Sequence, residues 1–163
     1  MAEITLRKRH RLRKKEIRAL SKDFFKLFSK EIDLSKAAVD GAVAGEYEVL
    51  ILDNEIFAFY IDNTPFLTIR GILKFRPTKW FVTVDMGAVK FISNGADVMA
   101  PGIVDADPRI SVDDIVWVRD QNHLQPLAVG RAMMIGDEMV QNNKDKAIKT
   151  IHYINDKLWN TKI

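Results

Sequence analysis

Residues 84–103 read VDMGAVKFISNGADVMAPGI, and the three glycines of that stretch limit the possible folds more than any other feature of the chain. Gly87, Gly95 and Gly102 stand eight and seven residues apart, with apolar residues between them. The β-branched run WFVTV (80–84) before them is a strand signal. GAVKFISN (87–94) puts Ala88, Phe91 and Ile92 on one helical stripe, and Asn94-Gly95 supplies a C-terminal cap. ADVMAPG (96–102) is extended and closes in a Pro-Gly turn. The order is therefore strand, Gly87, one short helix, Gly95, strand, Pro101-Gly102: a β-α-β unit with very little helix. A glycine belongs where the chain turns sharply or where a Cβ would obstruct a neighbour. That neighbour is either the protein's own packing or a large partner, and the residues leave both open.

The period of the chain changes along its length. Ile17, Leu20, Phe24, Leu27, Phe28 and Ile32 recur every three or four residues, which predicts an amphipathic helix over 12–32. Residues 33–46 read as a loop or a short helical turn. EYEVLIL (46–52) and EIFAFYI (55–61) flank Asp53-Asn54 and predict a hairpin. FLTIRGILKF (66–75) is a short helix, and RPTK (76–79) breaks the chain. After that break come short strands at 114–119, 126–135 and 147–154, joined by turns at DQNH and GDE, with a loop over 105–111. Gly130 inside AVGRAM predicts a bulge or a close approach. The fold class expected is α+β: a small N-terminal α/β domain over residues 1–79, then a β pseudo-barrel with short helices over 80–163.

Charge is divided unequally. Arg7, Lys8, Arg9, Arg11, Arg13, Lys14 and Lys15 face one acid, Glu3, in the first fifteen residues, for a net +6 in a chain of net +3. Residues 1–79 carry 16 bases and 11 acids; residues 80–163 carry 9 bases and 11 acids. A polyanion is therefore expected to be held by the first half, the alternative being a solvated basic arm. The chain has no cysteine, which excludes disulfides and thiolate metal sites. Its longest apolar run, IFAFYI, is far short of the ~18 residues of a membrane helix. No signal sequence is visible, so the expected compartment is the cytoplasm. His10, His123 and His152 have no metal-ligand spacing, and no nucleophile elbow, P-loop or dinucleotide fingerprint occurs. Asp105/Asp107 and Asp113-Asp114 do not make an acid–base pair by adjacency alone. A binding protein without cofactor, metal or catalytic residues is expected.

Val84, Asp85, Gly87, Ala88, Ile92, Gly95, Ala96, Asp97, Val98, Met99, Pro101 and Gly102 together resemble the signature of the PUA domain, an RNA-binding module, and AVGRA (128–132) resembles its later part. TIRGILKFRP (68–77) and IHYINDKLW (151–159) are similar to the malignant T-cell-amplified protein family, whose members carry an extra domain before the PUA domain. The shorter, cysteine-free chain resembles an archaeal stand-alone member. Met86 departs from the eukaryotic members, which carry a lysine there. The resemblance implies binding to structured RNA, a tRNA acceptor end or small-subunit ribosomal RNA. It also implies a role in initiation or recycling and a density-regulated-type partner protein. An RNA-targeting accessory subunit of a modification enzyme and a pure protein-interaction module are the competing readings.

On that basis the expected RNA contacts are Gly87, Ala88, Gly95 and Ala96 through backbone, with Lys90 and Asn94 four apart on the short helix. Arg131 faces the same surface or pairs with an acid. Arg70, Lys74, Arg76 and Lys79 join the RNA surface or form salt bridges at the domain junction. Asp97 is expected to brace a turn, since a carboxylate repels phosphate. Phe91 and Met99 are expected in the core, and Trp80, Trp117 and Trp159 in packing. His152 is expected to be structural.

Overall fold

In the computed structural model, which describes residues 3–163, the two apolar runs around Asp53-Asn54 pair as expected. Strand β3 (Tyr47–Leu52) turns into β4 (Glu55–Ile61) with Asp53 and Asn54 at φ 51° and 60°. Asp and Asn tolerate this left-handed conformation, and it matches the twist of a two-residue hairpin. A second such turn, Asp62-Asn63, leads into β5 (Thr64–Leu67). Two further strands lie on the other side, β1 (Leu6–Arg11) and β2 (Asp40–Ala44), giving an antiparallel sheet in the order β1-β2-β3-β4-β5.

Both of these strands correct the sequence reading. The expected loop at 33–46 contains β2, whose strand signal is masked because Gly41, Ala42 and Ala44 are small and buried. The expected basic arm is in large part the edge strand β1. Five of its six residues are exposed, so no apolar alternation is needed there. A bulge between Arg7 and His10 puts Lys8 at φ 54°.

Helix α1 (Lys14–Phe28) is shorter than the 12–32 expected. Before it, the Leu12 amide donates to the Val39 carbonyl at 2.9 Å, and the Glu16 carboxylate accepts the Arg13 amide at 3.0 Å. After it, Ser29 turns left-handed at φ 52°. Leu20, Phe24 and Phe28 are buried against the sheet, with ring centroids 6.2 Å apart for Phe24–Phe57 and 5.3 Å for Phe28–Phe66. Each such ring contributes about 1.5–3 kcal/mol of apolar burial. Helix α2 (Ile69–Phe75) is capped by Thr68, whose hydroxyl accepts from the Gly71 amide at 3.2 Å and donates to the Ile56 carbonyl at 2.7 Å. This fastens α2 flat onto β4. Gly71 lies against the Phe57 carbonyl oxygen, where a methyl group would overlap it.

The chain forms two compact units. The first runs to Pro77 and also takes in Lys157–Ile163; the second is Thr78–Asp156. The chain thus divides at 77/78, two residues before the expected 79/80, and the C-terminal tail is assigned to the first unit. Arg70 lies 3.8 Å above the Trp159 ring and donates to its carbonyl at 3.0 Å, which holds the tail in the first unit.

The second unit contains β6 (Phe81–Val84), α3 (Met86–Ile92), β7 (Val98–Met99), a 3-10 turn at Ala100–Gly102, β8 (Ile103–Ala106), β9 (Ile115–Asp120), β10 (Pro126–Ala132), α4 (Gly136–Gln141) and β11 (Lys146–Tyr153). The sheet order is β7-β11-β10-β9-β6-β8, antiparallel except for the β6–β9 pair. It curls into a half-barrel around Val82, Val84, Ile92, Val98, Val116, Val118, Ala128 and Ile148. The flanks of the β-α-β unit, β6 and β7, are separated by three other strands. The expected loop at 105–111 begins with residues of β8, and the expected GDE turn opens α4. That helix starts at Gly136, pressed on the Asp107 backbone, and buries Met139. Pairing shifts at Val129/Gly130, where a side chain would strike Ile148 and the Lys149 backbone. His152 is buried, its Nδ1 2.8 Å from the Asp156 carboxylate. Among the described residues no helix is long and apolar enough to cross a membrane.

Candidate nucleic-acid interface

The three glycines separate into two kinds. Gly95 has φ +91°, and a Cβ there would stand 2.8 Å from the Tyr153 ring. Its amide closes the end of α3 by donating to the Ile92 carbonyl at 3.0 Å. A Cβ on Gly102 would stand 3.2 Å from that of Ala88, and the Gly102 carbonyl accepts the Asp85 amide at 2.9 Å. The protein's own packing accounts for these two. Gly87 is exposed, and a Cβ on it would meet only the Asp85 carboxylate at 3.4 Å. The fold does not require that position to be bare. Asp85 caps α3 by accepting the Ala88 amide at 2.9 Å, which places Gly87 in the first turn of the helix.

Around this helix the sequence reading is overturned at two residues. Phe91 and Met99, expected in the core, are 65% and 49% exposed, and Met86 is 42% exposed. A helix of seven residues offers the core about two turns. Ile92 fills that face fully, while Ala88 and Val89 pack against it in part. Phe91 is left pointing to solvent next to Lys90, which is exposed and has no ion pair among the described residues. The signal was available in the length of the run: a stripe of 88, 91 and 92 is wider than so short a helix can bury.

The other expected contacts of this unit are more committed. The Asn94 side-chain amide donates to the Lys90 carbonyl at 2.9 Å, so it finishes the helix, while Ala96 is exposed beside it. Asp97 braces β11, accepting the Thr150 amide at 2.8 Å and pairing with Lys146 at 2.9 Å. Burial pushes the Asp97 carboxyl up, but the bonds from Lys146 and Thr150 outweigh it and hold the group below the usual aspartate range. Arg131 donates to the Asp113 carbonyl at 3.3 Å. Trp117 is buried, with its indole N–H on the Lys79 carbonyl at 2.8 Å.

Arg70, Lys74, Arg76 and Lys79 are divided between the two units. The first three belong to the first unit and Lys79 to the second. Arg70 stacks on Trp159, and Lys74 pairs with Asp53 at the hairpin tip at 2.6 Å. Arg76 is the left-handed cap of α2, with an exposed side chain.

The seven cations of residues 7–15 also divide. Arg9 and Arg11 share Asp40, at 2.9 Å and 2.6 Å, and Arg13 pairs with Glu16 at 3.2 Å. Arg7 donates only to the Gly45 carbonyl, at 3.3 Å. Lys8, Lys14 and Lys15 are exposed and carry no ion pair among the described residues. Four charges thus remain for an outside partner, presented by the edge strand and the start of α1.

Hydrogen bonds from Arg11 and then Arg9 hold the Asp40 carboxyl below the usual aspartate range. A depressed folded value means that the clamp contributes fully above the ordinary value of about 3.9 and is lost as pH falls through the folded value. Amide-exchange protection of β1 is therefore expected to fade below about pH 4, before the other strands of its sheet open. Protection of β1 that persists until global acid unfolding would contradict this. Among the described residues, no group of three His, Asp or Glu side chains is placed to hold a metal ion.

The family model of the PUA domain matches residues 80–154. Protein MJ1432 of Methanocaldococcus jannaschii is 45% identical over 159 residues, covering 96% of this chain and 98% of its own. Human malignant T-cell-amplified sequence 2 is 34% identical over 119 residues, 71% of this chain and 66% of its own. Translation machinery-associated protein 20 of Saccharomyces cerevisiae is 32% identical over 115 residues, 67% of this chain and 64% of its own. The match to these two eukaryotic relatives thus spans about two thirds of their length. The crystal structure of protein PH0734.1 from Pyrococcus horikoshii superposes with a TM-score of 0.80 at 32% identity, covering 93% of this chain and 97% of that one. With the β-α-β signature, the half-barrel and the preceding five-stranded unit in place, the chain belongs to the malignant T-cell-amplified family of PUA-domain proteins.

Proposed function

We propose that this protein is a non-catalytic, cytoplasmic RNA-binding factor of translation that binds the small ribosomal subunit, a tRNA acceptor end, or both. The observation that carries the reading is α3. It presents a solvent-facing aromatic, Phe91, and an unpaired Lys90, on a helix whose Gly87 leaves the backbone open. Exposed aromatics stack on unpaired bases, and a bare backbone can approach phosphates and 2′-hydroxyls. The four uncommitted cations of β1 and α1 supply the sequence-independent attraction. The name of one relative, translation machinery-associated protein 20, supports the cellular setting. A density-regulated-type translation factor is the protein partner that this reading proposes.

The test is ultraviolet crosslinking of the tagged protein in its native cell, followed by sequencing of the recovered RNA. Small-subunit ribosomal RNA, with or without tRNA ends, supports the reading. One tRNA class alone points instead to a modification accessory, and no enrichment over background removes RNA from the function.

Two substitutions isolate the α3 face. Phe91→Ala removes one stacking platform, worth about 1–3 kcal/mol, so RNA affinity is expected to fall about tenfold with the melting temperature unchanged. Gly87→Ala is expected to keep or slightly raise stability, because alanine favours a helix by up to ~1 kcal/mol over glycine, yet to weaken RNA binding. Filter binding and thermal melting read both; affinities equal to the parent protein for both variants would take α3 out of the interface.

A further inference from the structure

Ser29 turns left-handed at the end of α1 and sends the chain back, so that residues 31–35 run beside one flank of the helix. On that flank Ile17, Ser21 and Phe25 recur every fourth residue. With Ile32 they floor an open groove of about 660 Å³. Phe25 is 58% exposed, although Phe24 and Phe28 beside it in sequence are fully buried. Two cations without an ion pair among the described residues, Arg18 and Lys22, stand on the helix side of the groove, and two carboxylates, Glu31 and Asp33, stand on the other. The Asp33 carboxylate accepts the Ser35 hydroxyl at 2.6 Å and its amide at 3.0 Å, which holds the group below the usual range and keeps it charged.

We propose that this groove docks an amphipathic helix of a partner protein. Its apolar face lies on Phe25 and Ile17, its acidic flank faces Arg18 and Lys22, and its basic flank faces Glu31 and Asp33. The floor, eight residues along α1, is about 12 Å long, enough for two turns of a docked helix with anchors at i, i+3 or i+4, and i+7. The opposed charges of the two walls fix the direction in which that helix lies. They also disfavour RNA, because a phosphate backbone in the groove would face two carboxylates. An exposed aromatic beside unpaired cations on one wall and carboxylates on the other is a polarised surface, and a peptide with one flank of each sign complements it.

The probe is a pair of synthetic peptides of roughly 14 residues, four helical turns, with the same leucines and phenylalanine on one face. One carries glutamates on one flank and lysines on the other; its counterpart carries glutamines on both flanks, because a peptide with exchanged flanks would meet the same charges by lying in the opposite direction. Each is titrated into the isotope-labelled full chain and followed by NMR. Shifts confined to the groove, with the first peptide at least about tenfold tighter than the second, are expected, and Arg18→Glu with Lys22→Glu is expected to abolish that preference. Phe25→Ala should weaken the preferred peptide about tenfold at an unchanged melting temperature, since the ring is exposed. Equal affinities for the two peptides, shifts elsewhere, or an unaffected Phe25→Ala variant overturn the proposal. An oligouridine that shifts the same resonances and displaces the peptide overturns it in favour of nucleic acid.

Discussion

Gly71→Ala is expected to melt the first unit on the order of 10 °C lower than the parent chain. Gly71 sits in the middle of α2, and a methyl group at that position overlaps the carbonyl oxygen of Phe57 on β4. That oxygen is also the acceptor for the Thr68 amide at 3.1 Å, so moving it away loosens the cap of the same helix. Backbone cannot rotate aside as a flexible side chain can, and overpacking of this kind costs about 1–3 kcal/mol and occasionally more. In a domain of this size each kcal/mol shifts the midpoint by roughly 4–8 °C. The helix-propensity gain of alanine, at most ~1 kcal/mol, does not offset it. Calorimetry reads the change, with Gly87→Ala in the second unit as the comparison because its added methyl group meets only the Asp85 carboxylate, at an ordinary contact distance of 3.4 Å. Equal midpoints for the two variants would mean that α2 does not hold the backbone contact.

Changing Arg7, Lys8, Lys14 and Lys15 together to glutamine should remove most of the salt sensitivity of RNA binding. Each phosphate contact to a single strand contributes about 0.7 to the slope of log affinity against log salt. Four contacts therefore contribute roughly 2.8, and the affinity lost between about 50 and 200 mM salt should shrink by roughly 50-fold. The variant is expected to fold normally, since none of the four pairs with a carboxylate among the described residues. Arg9→Gln with Arg11→Gln is the contrasting variant: it strips Asp40 of both partners and is expected to loosen β1 as well. A slope unchanged by the fourfold variant would exclude these side chains from the interface.

Local patterns carried much of this structure. The β3–β4 hairpin was legible because two apolar runs flank Asp53-Asn54, and one residue pair decides such a turn. The motif at 84–103 was legible because glycines, a cap and a Pro-Gly turn are punctuated at fixed spacing. What escaped was whatever depends on a partner outside the segment itself. β2 is small-residue chain that becomes a strand only because β3 lies beside it, and β1 is a run of cations that pairs only at an edge. The tail at 157–163 joins the first unit because Arg70, far away in sequence, stacks on Trp159.

The binding surface divides in the same way. Composition and charge put the expected polyanion grip in the first half of the chain without any structure, because net charge is a sum that folding does not change. Which cations remain for a partner is a different matter. Asp40 engages Arg9 and Arg11 only once β1 has paired with β2, and Glu16 engages Arg13 within one turn, so three of the seven basic residues are held in ion pairs and four are not. Likewise the spacing of Gly87, Gly95 and Gly102 marks three bare positions, but only the Tyr153 ring and the Ala88 methyl show that two of them serve packing. Glycine in a sequence records that a side chain is missing; the atom that would have met it comes from another element, and its position is set by the tertiary fold.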